Sequence, residues 1–316
     1  MTAEQHKIGS GFGAQSTAGD VLAGVDLSAC TALVTGGYSG LGLETTRALA
    51  LAGARVIVPA RRPAAAEDAL RGMPGTEVGE LDLADLESVR VFADRFLDTG
   101  RTLDIVINGA GIMACPETRV GPGWEAHFAT NHLGHFALVN RLRPALDGAR
   151  VVSVASSGHF LAGIRWDDLQ FRRGYDRWLA YAQSKTANAL FAVHLDALGA
   201  DAGLHAFAVH PGSILTPLQR HIPHHEQVAQ GWIGQDGEPA AGFKTPAQGA
   251  ATAVWAATSP LLENHGGAYC QDCDLAEPAS TDDMLVGGVK PWATDAAEAA
   301  RLWALSSELT GLDAFS

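Results

Sequence analysis

Ala32-Leu33-Val34-Thr35-Gly36-Gly37-Tyr38-Ser39-Gly40-Leu41-Gly42-Leu43-Glu44-Thr45-Thr46-Arg47-Ala48-Leu49-Ala50 is the stretch on which the fold turns. A short apolar run, a glycine-rich turn and a segment of helical periodicity follow one another, which reads as strand, turn and helix. Glycines at 36, 40 and 42 let a backbone come close to a pyrophosphate and present the N–H groups of a helix N-terminus to it. The spacing is Gly-x-x-x-Gly-x-Gly rather than the commoner Gly-x-Gly-x-x-Gly.

Outward from this stretch, strand and helix patterns keep alternating. Apolar runs recur near Ala32, Val56, Val78, Ile105, Val152, Ala206 and Ala268, with helical periodicity between them. The alternation predicts an α/β chain: a single-domain Rossmann fold with a doubly wound parallel sheet of about seven strands, right-handed crossovers and helices on both faces. Ligand and chemistry are then expected at the carboxyl ends of the strands. Residues 1–28 are expected to form an N-terminal extension to a domain spanning 29–316, with a long irregular insertion over about 213–245.

A second motif lies far downstream. Tyr181 and Lys185, in Tyr181-Ala182-Gln183-Ser184-Lys185, share one face of a helix. An ammonium beside a phenol stabilises the ionised form and lowers its pKa, so that the tyrosine serves as acid or base near neutral pH. Alone, the same spacing describes a packing tyrosine beside a solvated lysine.

Together the motifs resemble the short-chain dehydrogenases/reductases, whose signatures are Thr-Gly-x-x-x-Gly-x-Gly and Tyr-x-x-x-Lys. The resemblance runs from about Thr31 to about Gly267. It includes Asn108-Gly109-Ala110-Gly111, where the family usually reads Asn-Asn-Ala-Gly, then Asn131, Ser156 and Pro211-Gly212 in order. Asn131-His132-Leu133-Gly134-His135-Phe136, Trp166-Asp167-Asp168-Leu169 and Ser184-Lys185-Thr186-Ala187-Asn188 are similar to the branch of retinol dehydrogenases, protochlorophyllide reductase and the WW-domain oxidoreductase, and the leader Ser16 to Leu27 is similar to the segment preceding the fold in the last of these. No WW-like module is present in the sequence.

The resemblance implies hydride transfer between a nicotinamide and a carbonyl or alcohol carbon, with Tyr181 exchanging the proton on the oxygen and Ser156 hydrogen-bonding that oxygen. It also implies that Lys185 holds the nicotinamide ribose and that Asn131 supports a water joining Lys185 to solvent. Ser156 is chosen over Ser153, expected inside a strand, and Ser157. Tyr175 is excluded as the base because Leu179 lies four residues later. Cofactor contacts are expected from Gly36, Ser39, Gly40, Leu41, Gly42, Arg61, Asp82, Leu83, Asn108, Ala110, Gly111, Pro211, Gly212 and Thr216. At the end of the second strand, Ala60 stands where an NAD enzyme commonly has an acid for the ribose 2′-OH, and Arg61 follows. Guanidinium suits a 2′-phosphate, so NADP(H) is the expected cofactor, with NAD(H) the alternative. Taken alone, Asp82 reads as a helix cap.

Composition agrees with an enzyme of small molecules. The net charge of −13 argues against a nucleic-acid footprint. No apolar stretch approaches the roughly 20 residues of a membrane span, and the polar start is unlike a secretory signal, so the N-terminal anchor of membrane-bound retinol dehydrogenases is not expected here. Four cysteines are too few to staple the chain, so a reducing cytoplasm is the expected location. Cys270-Gln271-Asp272-Cys273 lacks a second Cys/His pair and reads as two partly buried thiols after the last strand, and His221, His224 and His225 read as a solvated or lid segment, so no metal is expected. His159 and Phe160 are expected either to line the substrate pocket or to pack. Ala293 to Leu309 reads as an amphipathic helix with Trp292 and Trp303 in packing roles. Substrate choice is assigned to the 213–245 insertion and to residues near Ile112, Met113, Ala114 and Cys115, with an apolar or aromatic carbonyl/alcohol pair implied. Homo-oligomerisation is the family expectation, which the leader and tail could oppose by covering the helix-pairing surfaces. A non-turning-over NADP sensor, a sugar-nucleotide epimerase and a carbon–carbon double-bond reductase are the alternatives. Retention of Ser156, Tyr181, Lys185 and Asn131 disfavours the first, and the glycine spacing disfavours the second.

Overall fold

Each strand of the central sheet divides its residues between two apolar layers. Ala32, Val34, Val56, Val58, Ile105 and Ile107 face one core, while Leu33, Ile57 and Val106 face the other. That period-2 sorting is why the strand sequences are apolar at nearly every position: both faces are covered.

A computed structural model describes residues 4–316. In chain order come α1 (Ala18–Val21), β1 (Thr31–Val34), α2 (Gly40–Leu51), β2 (Arg55–Ala60), α3 (Pro63–Ala69), β3 (Thr76–Glu80), α4 (Leu86–Leu97) and β4 (Ile105–Asn108). They are followed by β5 (Arg119–Val120), β6 (Trp124–Glu125), α5 (Gly134–Arg141), β7 (Arg150–Val154), α6 (Arg177–Gly199) and β8 (His205–His210). The last are α7 (His224–Ala229), α8 (Pro246–Thr258), β9 (Tyr269–Gln271), β10 (Asp274–Leu275) and α9 (Ala296–Thr310). The sheet order is β10-β9-β8-β7-β4-β1-β2-β3, with β5 and β6 forming a separate ribbon. Pairings from β3 through β9 are parallel, with Leu33 level with Ile57 and Val106. The order reverses direction between β1 and β4, which opens a crevice at their carboxyl ends.

The helices start where the sequence supplies caps. Asp85 accepts from Glu87 N at the head of α4, and Asp176 accepts from Trp178 N and Leu179 N at the head of α6. Thr245 and Gln248 form a capping box on α8 with Pro246 at its first turn. Helices α1, α2 and α8 cover one face of the sheet and α4, α5, α6 and α9 the other. Trp303 of α9 stacks on Phe191 of α6 with ring centroids 5.8 Å apart.

Three details depart from expectation. The sheet has eight strands rather than about seven, because β9 folds back into antiparallel β10. The hairpin turns on Asp272 and Cys273, both left-handed at φ 53° and 59°, positions where glycine or asparagine is the usual signal. Residues 213–245 are not wholly irregular, since they hold a 3₁₀ turn (Pro217–His221) and α7. Cys270 lies within β9, and Cys270 and Cys273 are fully buried rather than partly so. At the N-terminus, Ile8 N and Gly9 N donate to the Asp274 carboxylate at 2.8 and 3.1 Å, and α1 packs against α8.

Candidate active site

A cleft of about 1160 Å³ opens at the carboxyl ends of β1, β4, β7 and β8. One half of it is made of backbone. The turn after β1 carries Gly36 at φ +70°, where a Cβ would meet Ala110 at 3.0 Å, and Gly42, where a Cβ would fall 2.2 Å from Gly36 O. The turn therefore packs directly on itself and on the loop after β4. Ser39 stands at the N-cap of α2 without a side-chain capping bond. First-turn N–H groups are thus left to a ligand in the cleft, the arrangement that binds anions. Thr35 Oγ1 fixes the loop opposite by accepting from Gly109 N (2.9 Å) and Ala110 N (3.1 Å).

Of the residues picked out from sequence, Gly36, Ser39, Gly40, Leu41, Gly42, Arg61, Asp82, Leu83, Ala110, Gly111, Ser156, Tyr181, Lys185, Pro211, Gly212 and Thr216 all line this cleft. Asp82 is not the helix cap; Asp85 takes that place, and Asp82 Oδ1 accepts from Ala84 N. Asn108, at the end of β4, has its side chain buried beneath the floor of the cleft, where Nδ2 donates to Ser153 Oγ at 3.4 Å. Asn131 also lies behind the wall. It sits in a π-helical turn (Phe128–Leu133), and its amide clamps Ile112 by accepting from Ile112 N (2.9 Å) and donating to Ile112 O (3.0 Å). A second donation reaches Ser184 Oγ at 2.9 Å.

Ser156 follows β7 and caps the 3₁₀ turn Ser157–Leu161, its Oγ accepting from Gly158 N at 3.0 Å. Tyr181 comes from the buried face of α6. The two hydroxyl-bearing side chains flank Gly158, where a Cβ would lie 3.1 Å from Tyr181 Cε1 and 3.4 Å from Ser156 Oγ. Burial pushes the Tyr181 phenol up to about 12, with the Ser156 hydrogen bond pulling the other way. The lowering expected from Lys185 is not expressed in this geometry: its Nζ donates to Val154 O (2.8 Å) and lies 5.7 Å from the Tyr181 ring centroid. Burial in turn brings Lys185 down to about 8.

The other half of the cleft is made of side chains. Met113, Ile222, Trp178, Leu218 and Trp232 form an apolar cage with Tyr181, and Met284 and Leu285 lie farther along the lining. Trp178, Trp232, Met284 and Leu285 were not singled out in the sequence, because nothing local marks residues that meet only through tertiary folding. His159 packs rather than lining the pocket. It is fully buried, its Nδ1 lies 2.7 Å from Ser156 O, and its Nε2 accepts from Lys290 N (3.1 Å). The sequence also gave no sign of a buried cluster behind Met113, in which Glu125 Oε1 lies 2.7 Å from His127 Nδ1 and His127 Nε2 lies 3.5 Å from Cys115 Sγ.

Comparison with known proteins agrees with this architecture. Residues 30–227 match the family described as short chain dehydrogenase. A Streptomyces antibioticus protein named "Probable oxidoreductase" is 45% identical over 88% of this chain and 97% of its own length. Retinol dehydrogenase 11 of Mus musculus is 35% identical over 94% and 91%. A solved structure from Mycobacterium paratuberculosis superposes with a TM-score of 0.73 at 37% identity, covering 95% of this chain and 98% of that one. The Pseudomonas aeruginosa RhlG/NADP active-site complex does so with a TM-score of 0.60 at 25% identity, covering 78% and 95%. No helix among the described residues is long and apolar enough to cross a membrane. The chain belongs to the short-chain dehydrogenase/reductase family, on its retinol dehydrogenase-like side, and is an oxidoreductase of that family.

Proposed function

We propose that the protein transfers a hydride between NADP(H) and the carbonyl or alcohol carbon of an apolar substrate, with Tyr181 as the acid and base. The observation that carries this is the meeting of Ser156 and Tyr181 across Gly158, in the same cleft as Lys185 and the glycine turn. The residues fit a nicotinamide dinucleotide. Gly36 and Gly42 leave no room for a Cβ beside the uncapped head of α2, a cradle suited to a pyrophosphate. Arg61 and Arg62 line the cleft where β2 ends, with no acid at Ala60; this favours a 2′-phosphate. A relative of the same fold was solved with NADP. When bound, the dinucleotide supplies or accepts the hydride.

The chain's own residues handle the oxygen. Ser156 Oγ accepts from Gly158 N, so its own proton is free to be donated to the substrate oxygen and polarise the carbonyl. Burial keeps the phenol of Tyr181 protonated, as a donor in the reducing direction must be. Lys185, with its ammonium held against Val154 O inside the cleft, would hold the nicotinamide ribose. Asn131 fixes the backbone of Ile112 beside the reacting groups, a positioning role. The apolar cage around Tyr181 excludes water and selects apolar substrates.

The test is to follow nicotinamide absorbance with a panel of aldehydes, ketones and alcohols, using NADP(H) and NAD(H) in parallel. Turnover with NADPH that falls at least about 10²-fold in Tyr181→Phe, with cofactor affinity retained, is the expected result. Tight cofactor binding with no turnover of any carbonyl would overturn it in favour of a sensor.

A further inference from the structure

Beyond the reacting groups, the cleft is bordered by a flap whose chemistry does not suit a surface loop. Residues 280–288 leave the fold and return to it at a β-bridge between Pro278 and Val289, with Ala279 N donating to Val289 O and Val289 N to Glu277 O, both at 2.9 Å. At its tip, Asp283, Met284 and Leu285 line the cleft. Leu285 is 82% exposed and the adjoining Val286 61%. Leu161, at the end of the 3₁₀ turn that Ser156 caps, lines the same cleft and is 46% exposed. Large aliphatic side chains held in water at a cleft mouth mark a place where something apolar is bound.

The flap is firm at its root. Lys290 Nζ donates to Thr281 O (2.9 Å) and Asp282 Oδ1 (2.5 Å), while Lys290 N donates to His159 Nε2. Because Nε2 of His159 is an acceptor, its proton sits on Nδ1 and is donated to Ser156 O. Trp292 Nε1 completes the anchor by donating to His159 O at 3.0 Å. The flap is therefore referenced to the backbone of Ser156 itself, the residue proposed to hold the substrate oxygen.

We propose that Leu285, with Met284 beside it, is a specificity-determining residue: it seats the distal apolar end of a substrate whose chain runs from Tyr181 to the cleft mouth. This assignment rests on the reductase function proposed above. The substrate is favoured as the occupant because the rim shares one cleft with the apolar cage of Met113, Trp178, Leu218 and Trp232. That cleft, about 1160 Å³, also exceeds the roughly 300–1,000 Å³ of common small-ligand sites, as a dinucleotide plus an extended substrate requires.

The experiment is NADPH-dependent reduction of straight-chain aldehydes from butanal to dodecanal by the full chain, Leu285→Asp and Leu285→Met. In the wild type kcat/KM is expected to rise roughly threefold to fourfold per added methylene until the chain clears the mouth. Leu285→Asp should lose at least about tenfold on dodecanal and less than about twofold on butanal, and Leu285→Met should restore the long-chain preference. Equal losses at every length, or no loss on dodecanal, overturn the assignment. A second measurement separates it from the reductase function: tryptophan fluorescence, titrated with 1-butanol and 1-dodecanol in the presence of NADP. If no aldehyde is turned over but dodecanol affinity drops about tenfold in Leu285→Asp, the reductase function fails and the apolar seat stands. If dodecanol affinity is unchanged, the seat fails. Loss of binding to phosphatidylcholine vesicles in Leu285→Asp, with chain-length dependence intact, would assign the rim to a lipid surface and also overturn the proposal.

Discussion

The two halves of the cleft are built from different materials. The half holding Gly36 and Gly42 is backbone against backbone, with the turn after β1 pressed on itself and on Ala110. The half holding Trp178, Trp232, Met284 and Leu285 is side chain against side chain, drawn from α6, the 213–244 excursion and the flap. Each excursion is tied down by a nearly buried lysine and an aspartate: Lys244 to Asp272 and Lys290 to Asp282, both at 2.5 Å. The base of the first is also closed by Lys244 N donating to Ser213 O at 2.8 Å. A backbone surface tolerates no added atom, whereas a side-chain surface can be re-cut without moving the fold. One half is thus suited to a constant ligand and the other to a variable one.

The sharpest way to break this contrast is Gly42→Ala. Its Cβ would lie 2.2 Å from Gly36 O, and because both sides are backbone, no rotamer change relieves the clash. Stability is expected to fall by at least the upper end of the roughly 1–3 kcal/mol typical of overpacking, with cofactor affinity falling as well. Trp232→Leu, on the other side of the cleft, should leave the cofactor dissociation constant unchanged and alter KM for the substrate. Urea unfolding and a cofactor titration on the two variants check both statements. Equal losses of cofactor affinity would erase the distinction.

Lys185 stands where the halves meet, and its burial has a thermodynamic sign. Its folded pKa of about 8 lies below its ordinary 10.5, so the unfolded chain binds this proton more tightly than the fold does. The cost is full below pH 8, at about 3 kcal/mol, and fades as pH rises from 8 to 10.5. Lys185→Met should therefore abolish turnover yet stabilise the protein by up to about that amount at pH 7, with the gain shrinking towards pH 10.5. Val154 O would not be orphaned, since Asn188 Nδ2 also donates to it at 3.0 Å. Denaturant midpoints of the two proteins at pH 7 and pH 10 provide the check; a variant less stable than the wild type at pH 7 would mean that the ammonium holds the site together.

What could be read from the sequence follows the same division. The glycine turn and the parallel strands are written in contiguous residues, because each strand must be apolar on both faces and each turn must supply its own φ. The two-residue β10 escaped notice because its turn uses Asp272 and Cys273 where a glycine would have announced it. The direction of the Asn108 side chain, towards Ser153, was not legible because a motif fixes a residue at a strand end without orienting it. The Glu125–His127–Cys115 cluster and the flap were not legible, since their members meet only once β6, the loop after β4 and the tail are packed. For Lys185, the position was legible and the energetics were not: spacing alone cannot say that burial rather than the neighbouring charge governs Tyr181.

The smallest expected effect sharpens the claim that the backbone half takes a constant ligand, by asking which dinucleotide it takes. Arg61 lines the cleft as an exposed side chain beyond β2, with Arg62 beside it, so each contributes a solvent-screened share to a 2′-phosphate contact. Arg61→Glu is expected to lower kcat/KM for NADPH by about tenfold, roughly 1.4 kcal/mol, within the range of one charge-assisted hydrogen bond partly shared with a neighbour. It should leave the NADH value unchanged or raise it, since the new carboxylate can accept from a ribose 2′-OH and repels a phosphate. Raising the ionic strength should shrink the difference for NADPH and leave NADH unaffected. If the two cofactors fall together, Arg61 supports the turn rather than reading the phosphate, and the choice of dinucleotide must be made elsewhere along the backbone half, with Asp82 the next residue to vary.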